Sequence, residues 1–114
     1  MSGERAWKAI DRLKNGEKWT QGTLYYAGSR CLLGALGNCR DSEDMGITED
    51  RVARRLPLEV KAASMIIDEQ FPDRVNNRVS GVIKITSFND HTETTYDDVR
   101  LVLEKTAVRL DELV

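Results

Sequence analysis

The residues best suited to chemistry form the tripeptide Asn89-Asp90-His91, which precedes the last predicted helix. His91 is the only histidine, and Cys31 lies in an apolar stretch far upstream. A Cys, a His and an Asn or Asp can serve as nucleophile, base and orienting group, so these four are candidate catalytic residues. However, Asn-Asp before a helix is typical of an Asx-turn, and burial among leucines raises a thiol pKa. We therefore expect Cys31 to be unreactive. We also expect Asn89 and Asp90 to be structural residues that join their loop to the final helix and to segment 19–22.

A second candidate site is basic and is formed by Arg51, Arg54, Arg55 and Lys61 around Pro57. Such a cluster could contact DNA phosphates from a helix–turn–helix motif. Three acidic residues stand close to it in sequence, and the whole chain has a net charge of −2 and a pI near 5.4. Because a nucleic-acid module relies on a strong basic field, nucleic-acid binding is an unfavoured alternative that requires salt-sensitive DNA binding.

The sequence shows no pattern for a metal or a nucleotide cofactor. Cys31 and Cys39 stand eight positions apart, which fits no metal-ligand spacing. On one helix they would lie about 12 Å apart, too far for a disulfide. Neither GxGxxG nor GxxxxGK[ST] occurs. We expect no metal, no cofactor and two reduced thiols, with Cys31 the more buried.

Length and composition predict one soluble domain spanning residues 1–114. Charged residues make up 32% and hydrophobic residues 40% of the chain, which is ordinary for a globular protein. No apolar run approaches the roughly 18 residues of a membrane span. The first ten residues carry an acid and lack the apolar core of a secretory signal. We therefore expect a cytoplasmic protein without a membrane segment.

The stretch from Trp19 to Leu36 is predicted to build the core, because it concentrates aromatic and small residues. Ser29 is predicted to cap a helix that begins at Arg30 or Cys31 and stops at Gly37-Asn38. That helix has no polar face, so we expect it to be buried on all sides. Gly34 within it would allow another backbone or ring to lie close.

Helical spacing predicts a first helix, capped by Ser2 and ended by Gly16, and a short helix capped by Thr48. The short helix should end at Leu56, since the residue before a proline resists helical geometry. Pro57 then opens a helix to Phe71 with apolar residues in most directions, as in a central helix.

The last helix is the clearest, because Thr95 and Asp98 form a capping box before an apolar stripe. A short helix is predicted over 74–80, whereas the β-branched stretch Gly81–Phe88 is open between strand and coil. The predicted fold is mainly α, with four to five helices and a minor two-stranded element of Thr23–Tyr26 with Gly81–Phe88. The predicted core joins Trp7, Ile10, Leu32, Leu36, Ile66, Ile67, Val99, Leu103 and Leu110.

The chain resembles an uncharacterised small-domain family, a domain of unknown function. The resemblance rests on Trp19, Gln21-Gly22, Cys31, Gly34-Ala35-Leu36, Asn89-Asp90-His91, and Thr95, Asp98-Val99, Leu103 and Ala107. It implies a helical fold and an origin in actinobacteria, chiefly streptomycetes and mycobacteria, or in their phages. Relatives often have Cys where this chain has Thr20, and a longer segment before the helix at Cys31. The family carries over no activity.

Three functional hypotheses remain. The leading one is a cytoplasmic protein-interaction module of unknown process. If it is phage-encoded, it would act on a host protein in the host cytoplasm, and a homodimer is an alternative partner. This hypothesis requires an exposed apolar patch of several hundred Å². The second is a small enzyme or ligand-binding protein with a site near Cys31 and Asn89–His91, and the third is a DNA-binding regulator.

Overall fold

The computed structural model describes residues 3–39 and 49–112. These ranges contain six α-helices and one small antiparallel sheet, so the mainly α prediction is confirmed, although it expected four to five helices. The α-helices are α1 (Glu4–Arg12), α2 (Leu32–Gly37), α3 (Glu49–Arg55), α4 (Pro57–Gln70), α5 (Gly81–Asp90) and α6 (Tyr96–Glu112), with a 3-10 helix at Lys14–Gly16 and strands β1 (Tyr25–Tyr26) and β2 (Ser29–Arg30).

The small sheet is a tight hairpin and does not have the predicted pairing. Tyr25 pairs with Arg30 and Tyr26 with Ser29, so β1 meets the strand that follows it in the chain. The turn uses Ala27 and Gly28, both with positive φ. The prediction that Thr23–Tyr26 pairs with Gly81–Phe88 is therefore wrong.

The α5 helix replaces the predicted strand or coil at Gly81–Phe88. Its N-cap is Ser80, whose Oγ accepts from the Ile83 N–H at 3.4 Å. Val82, Ile85 and Phe88 are buried at intervals of three residues, which is a helical spacing. β-Branched composition was misleading because tertiary burial of this face outweighs strand propensity.

The α2 helix is buried on every side, as predicted, but its cap is not Ser29. Cys31 is the N-cap residue, and its Sγ accepts from the Gly34 N–H at 3.3 Å. The helix ends at Gly37, and Asn38 adopts the left-handed conformation with a φ of 52°. Ser29 is part of β2, so the predicted start of α2 at Arg30 or Cys31 is also wrong.

The α1 helix buries its alanines and leaves its tryptophan partly outside. Ala6, Ala9 and Leu13 are fully buried, and Ile10 is half-buried. Trp7 is 40% exposed, so its assignment to the core is wrong. At 100° per residue, Trp7 lies about 100° from Ala6, at the edge of the apolar stripe. The predicted cap, Ser2, lies outside the described residues.

The break between α3 and α4 follows the proline prediction. Leu56 is the non-helical residue between them, and Pro57 is the first residue of α4. The α4 helix packs against α3, α5 and α6, which confirms a central helix. Its apolar residues are not all buried, since Leu58 is 60% and Met65 is 47% exposed. The predicted cap of α3, Thr48, lies outside the described residues.

Residues 74–80 form turns instead of the predicted short helix. Arg74 fixes them to α6, because its Nη1 lies 3.0 Å from both Thr94 Oγ1 and Asp98 Oδ2. The predicted capping box is present: the Thr95 N–H donates to Asp98 Oδ2 at 3.1 Å, and the Asp98 N–H donates to Thr95 Oγ1 at 3.3 Å. These hydrogen bonds fix the first turn of α6 and therefore the direction in which the helix begins.

The core lies where α6 packs on α1 and α4, and where α2 packs on α1 and α5. Neither cysteine forms a disulfide, as predicted. Cys39 is as buried as Cys31, with exposures of 1% and 3%, so the expected difference between them is wrong. Seven predicted core residues are confirmed as buried: Leu32, Leu36, Ile66, Ile67, Val99, Leu103 and Leu110.

Candidate functional site

Asn89, in the last turn of α5, is the centre of a polar network inside the protein. Its side chain is fully buried. Its Oδ1 accepts from Trp19 Nε1 at 2.7 Å and from the Leu32 N–H at 3.0 Å. Its Nδ2 donates to the Thr20 carbonyl and to Asp90 Oδ1, both at 3.0 Å. An amide side chain has two donors and two acceptor lone pairs, so all four are used here.

The segment before the hairpin covers the carboxyl end of α5. Gln21 Nε2 donates to the carbonyls of Asn89 and His91, at 2.8 and 3.2 Å. The Gly22 N–H donates to Asp90 Oδ1 at 2.8 Å. The bond to the Asn89 carbonyl occupies a group that a helix end leaves unpaired. The tripeptide Asn89-Asp90-His91 therefore joins residues 19–22 to α5 and, through Leu32, to the start of α2.

Cys31 lies beside Asp90, in a region unfavourable to a thiolate. Both residues line a cavity of about 40 Å³. The pKa of the Cys31 thiol is raised to about 12, chiefly by burial and to a smaller extent by the Asp90 carboxylate. Since a nucleophilic cysteine needs the thiolate near neutral pH, this environment favours a structural role for Cys31.

In the described part of the chain, the His91 side chain forms no hydrogen bond with Cys31. It is half-buried, and its Nδ1 accepts from the Glu93 N–H at 3.0 Å. The hydrogen-bond partner of the Cys31 sulfur is the Gly34 N–H. The structure thus brings Cys31, Asn89 and Asp90 into one region, but His91 faces the turn that leads to α6.

The basic candidates lie on the surface of α3 and α4. Arg51, Arg54, Arg55 and Lys61 are all exposed. Arg51 and Arg55 are four residues apart and share a face of α3. Within the described part of the chain, none of these four side chains forms a hydrogen bond or an ion pair. Arg55 also lines a small pocket with Arg5 and Arg12 of α1.

A groove bounded by α1, α4 and α6, here called the α6 groove, was missed by sequence reasoning. Its volume is about 410 Å³, and its apolar lining is Trp7, Ile66, Leu101 and Val108. Trp7 and Val108 are 40% and 46% exposed. The available signal was the position of Trp7 at the edge of the α1 stripe, where a residue contacts both core and solvent.

Trp7 is held in a fixed orientation at this groove. Its Nε1 donates to Asp111 Oδ2 at 3.1 Å, and the other carboxylate oxygen accepts from the Gly3 N–H at 2.8 Å. Both hydrogen bonds lower the pKa of Asp111 below its ordinary value, the one from Trp7 contributing more. The indole is therefore anchored by its polar edge while part of its ring faces solvent.

The described residues contain no cluster of three or more His, Cys, Asp or Glu side chains that could hold a metal ion. In the same ranges, none of the helices has the length and apolar character required to cross a bilayer.

These features define a small, mainly helical domain with a saturated internal amide network and a partly apolar surface groove. The chain belongs to a family of unknown function, DUF6197, whose model matches residues 6–109. This confirms the resemblance to a domain of unknown function. No curated protein and no solved structure matches the chain.

Proposed function

We propose that this protein is a small protein-interaction module whose α6 groove binds the apolar face of an amphipathic helix. The observation that carries the proposal is Trp7, a partly exposed tryptophan fixed by Asp111 beside the exposed Val108. Tryptophans in pockets are common binding hot spots. A side chain that is already oriented loses less entropy when a partner binds.

The shape of the groove supports a helical occupant. Leu101, Lys105, Val108 and Glu112 follow one another on α6 at intervals of four, three and four residues, so they form one face. A partner helix can lay its own apolar residues, spaced three and four apart, along this face.

The charges at the groove favour particular positions on the partner. Arg109 is paired with Glu69 at 2.9 Å, and Arg100 with Glu104 at 2.7 Å. Lys105 and Glu112, within the described residues, make no ion pair. They are seven residues apart, about two helical turns. The partner helix should therefore carry an acidic residue opposite Lys105 and a basic residue opposite Glu112.

The family resemblance supports the finer part of this proposal, in which the module is phage-encoded and acts on an actinobacterial host protein. A second copy of this chain is the other possible occupant. Its α6 also presents Leu101 and Val108, with Glu104 and Lys105 between them. Sedimentation equilibrium of the purified protein distinguishes these occupants, since the self-association alternative requires a dimer that Val108→Asp abolishes.

Site-specific photocrosslinking tests the proposal. A photoreactive amino acid replaces Val108 in the groove or, as a control, Ile83, which is 48% exposed on α5 outside the groove lining. Mycobacterial cells are a suitable host because of the family resemblance. We expect a discrete protein adduct from position 108 that position 83 does not give.

Direct binding with the purified partner completes the test. Trp7→Ala and Val108→Asp should each weaken binding about tenfold or more, as expected at a hot spot. Ile83→Asp should change it less than about twofold, since isolated surface contacts contribute little. Equal adducts at both positions, or equal weakening by all three variants, would contradict the proposal.

Two other hypotheses from the sequence can be tested in parallel. The DNA-binding alternative predicts affinity that falls steeply with salt and is lost with Arg51 and Arg54. The enzyme or ligand-binding alternative predicts that Cys31, Asn89, Asp90 or His91 is needed for an activity and not for folding. The positions of these residues favour neither alternative. Arg51 and Arg54 lie on one short helix, and every donor and acceptor of the Asn89 side chain is used by an internal hydrogen bond.

A further inference from the structure

A second surface feature is a pocket of about 160 Å³ between α1, α2 and α3, here called the arginine pocket. Its charged lining residues are Arg5, Arg12 and Arg55, and its apolar lining residues are Leu36, Val52 and Leu56. The described residues of the lining include no acid. Three guanidinium groups therefore line one small space over an apolar floor.

Helical geometry explains why the arginines converge. Arg5 and Arg12 are seven residues apart, about two turns, so they project from the same face of α1. Arg55 is the last residue of α3. The α2 and α3 helices approach closely at Gly37, where an added Cβ would lie 3.1 Å from a Val52 methyl group. This close approach brings the end of α3 to the side of α1.

Two of the lining arginines, Arg5 and Arg55, keep N–H donors that have no fixed partner among the described residues. Arg12 Nη1 donates to the Ala35 carbonyl at 2.7 Å, which holds the guanidinium against the end of α2. Arg5 Nη1 lies 3.5 Å from Glu59 Oε2, a long contact, and its side chain is 61% exposed. The Arg55 side chain has no hydrogen-bond or ion-pair partner among the described residues. Each guanidinium carries five N–H donors, so Arg5 and Arg55 retain several.

We propose that the arginine pocket binds a phosphate group, either as free phosphate or as the end of a small phosphate monoester. Guanidinium groups match phosphate oxygens with paired N–H donors and keep their charge at any physiological pH. The pocket volume is about 160 Å³. It is well below the roughly 300 Å³ at which pockets for drug-sized ligands begin. A phosphate with at most a short ester fits this limit, whereas a nucleotide base does not.

This site is separate from the α6 groove, since only α1 contributes to both, and the proposal does not depend on the proposed function. It also gives Arg55 a role other than DNA contact. A DNA-binding surface on one face of α3 would use Arg51 together with Arg54 or Arg55, since residues three or four apart share a face. A phosphate pocket uses Arg55 and not Arg54, since only Arg55 is part of the lining.

Isothermal titration of the full chain with inorganic phosphate tests the proposal, with chloride adjusted to hold ionic strength constant so that general screening is unchanged. We expect saturable binding with one site per chain. Arg55→Gln should weaken this binding about tenfold or more, the usual effect of losing charged hydrogen bonds. Arg54→Gln, a matched control with the same change one residue away, should weaken it less than about twofold. Arg5→Gln should weaken binding as well, and thermal melting verifies that each variant is folded.

Two further ligands identify the source of the phosphate group. Tighter binding of glycerol phosphate than of inorganic phosphate supports a monoester ligand, and the reverse order supports free phosphate. Acetate at the same ionic strength serves as the carboxylate comparison. Absence of saturable binding of both phosphate ligands, equal weakening by Arg54→Gln and Arg55→Gln, or acetate binding as tight as phosphate binding would overturn the proposal.

Discussion

Asn89 connects more parts of the chain than any other residue of the candidate catalytic set. Three of its four hydrogen bonds join the end of α5 to Trp19, Thr20 and Leu32, which are 57 to 70 positions away in sequence. Because every donor and acceptor of the amide is occupied, a ligand can bind Asn89 only by displacing a structural bond. At the residue scale, the network therefore has the character of a structural junction.

Asn89→Ala should lower the free energy of unfolding by about 3 kcal/mol or more, because it leaves buried donors and an acceptor without partners. Asp90→Ala should cost less, about 1–2 kcal/mol, since Asp90 is exposed and its Oδ1 accepts only from the Gly22 N–H and from Asn89 Nδ2. Chemical denaturation of both variants measures the difference. If both variants unfold like the wild type yet lose binding to an identified partner, Asn89 and Asp90 are functional residues and the structural interpretation is wrong.

Cys31 should be unreactive in the folded protein. Burial raises the pKa of its thiol to about 12, so the thiolate is scarce at neutral pH. Timed alkylation followed by peptide mass spectrometry, which separates Cys31 from Cys39, should show labelling of Cys31 only when the protein opens. Labelling faster than that of a free thiol would restore Cys31 as a candidate nucleophile.

The residue-scale predictions from sequence succeeded where the local pattern determines the environment. The burial of Cys31 followed from its leucine neighbours, and the capping box at Thr95 followed from its spacing to Asp98. The predicted cap of α2 was wrong. Ser29 is the stronger capping residue by type, but it pairs with Tyr26 in the hairpin, so Cys31 caps the helix instead. The capping preference of a residue type takes no account of strand pairing, and strand pairing is what places Ser29 in β2.

At the element scale, α5 shows the main limit of composition. Its β-branched residues indicate a strand, but Val82, Ile85 and Phe88 are spaced to bury one helical face against α4 and α2. The proline break before α4 was predictable because the restraint is steric and local. The distinction is that a local steric rule acts in every context, whereas strand propensity depends on what covers the segment.

Gly34→Ala should destabilise the protein although alanine favours helices. A Cβ at Gly34 would overlap the Leu24 carbonyl oxygen, a backbone atom that cannot rotate away. We expect a loss of at least about 3 kcal/mol, the upper range for overpacking. Gly37→Ala, in the same helix, would place its Cβ 3.1 Å from a Val52 methyl group that can shift, so we expect a change within about 1 kcal/mol. Equal stability of the two variants, measured by denaturation, would contradict this account of α2.

Asp111 should make the contact between α1 and α6 depend on pH. Its pKa is lowered in the folded protein, chiefly by the hydrogen bond from Trp7 and then by the Gly3 N–H. Because its pKa is lower in the folded protein, ionised Asp111 stabilises the fold at pH values above its ordinary pKa of 3.8. This stabilisation is lost as the pH falls through the lowered pKa of the folded state. Asp111→Asn should thus be less stable than the wild type at pH 7, and the difference should shrink below about pH 3.8.

Melting curves at several pH values measure this effect, with Asp11→Asn as a control on the exposed side of α1. A constant stability difference between Asp111→Asn and the wild type from pH 7 to pH 3 would mean that the carboxylate charge does not anchor Trp7. In that case the orientation of Trp7 at the α6 groove would need another cause.

At the scale of the whole molecule, the sequence predicted the helical class and most of the core, because apolar spacing encodes which face of an element is buried. It did not predict the α6 groove or the arginine pocket. Each brings together residues from three helices, and such surfaces depend on how the helices pack. The junction at Asn89 was predicted in part, since segment 19–22 was among its expected partners while Leu32 was not. The expected link from Asn89 and Asp90 to the final helix was wrong: within the described residues their side chains bond to segment 19–22, to Leu32 and to each other. Contacts over 50 or more positions leave no periodic signal in the sequence.

The whole molecule should open in parts, with the segment from Trp19 to Cys31 opening before the helical core. This segment has only the short hairpin as regular structure and is joined to α5 by the bonds of Asn89, Gln21 and Gly22. In contrast, α4 and α6 are long and pack against each other and against further helices. Regions with few buried contacts open with a lower free energy than the core.

Gln21→Ala removes two of the bonds that hold this segment, those to the Asn89 and His91 carbonyls. We expect amide hydrogen exchange to become about tenfold faster at Thr20 and Arg30, whose N–H groups donate to the Arg30 and Lys18 carbonyls, since losing a hydrogen bond costs about 1 kcal/mol. Exchange in the centres of α4 and α6 should change much less. Gln70→Ala serves as a matched control, because Gln70 is exposed and makes no side-chain hydrogen bond within the described ranges. If Gln21→Ala accelerates exchange equally in the segment and in both helices, the segment opens only when the whole protein unfolds, and the junction belongs to the same cooperative unit as the core.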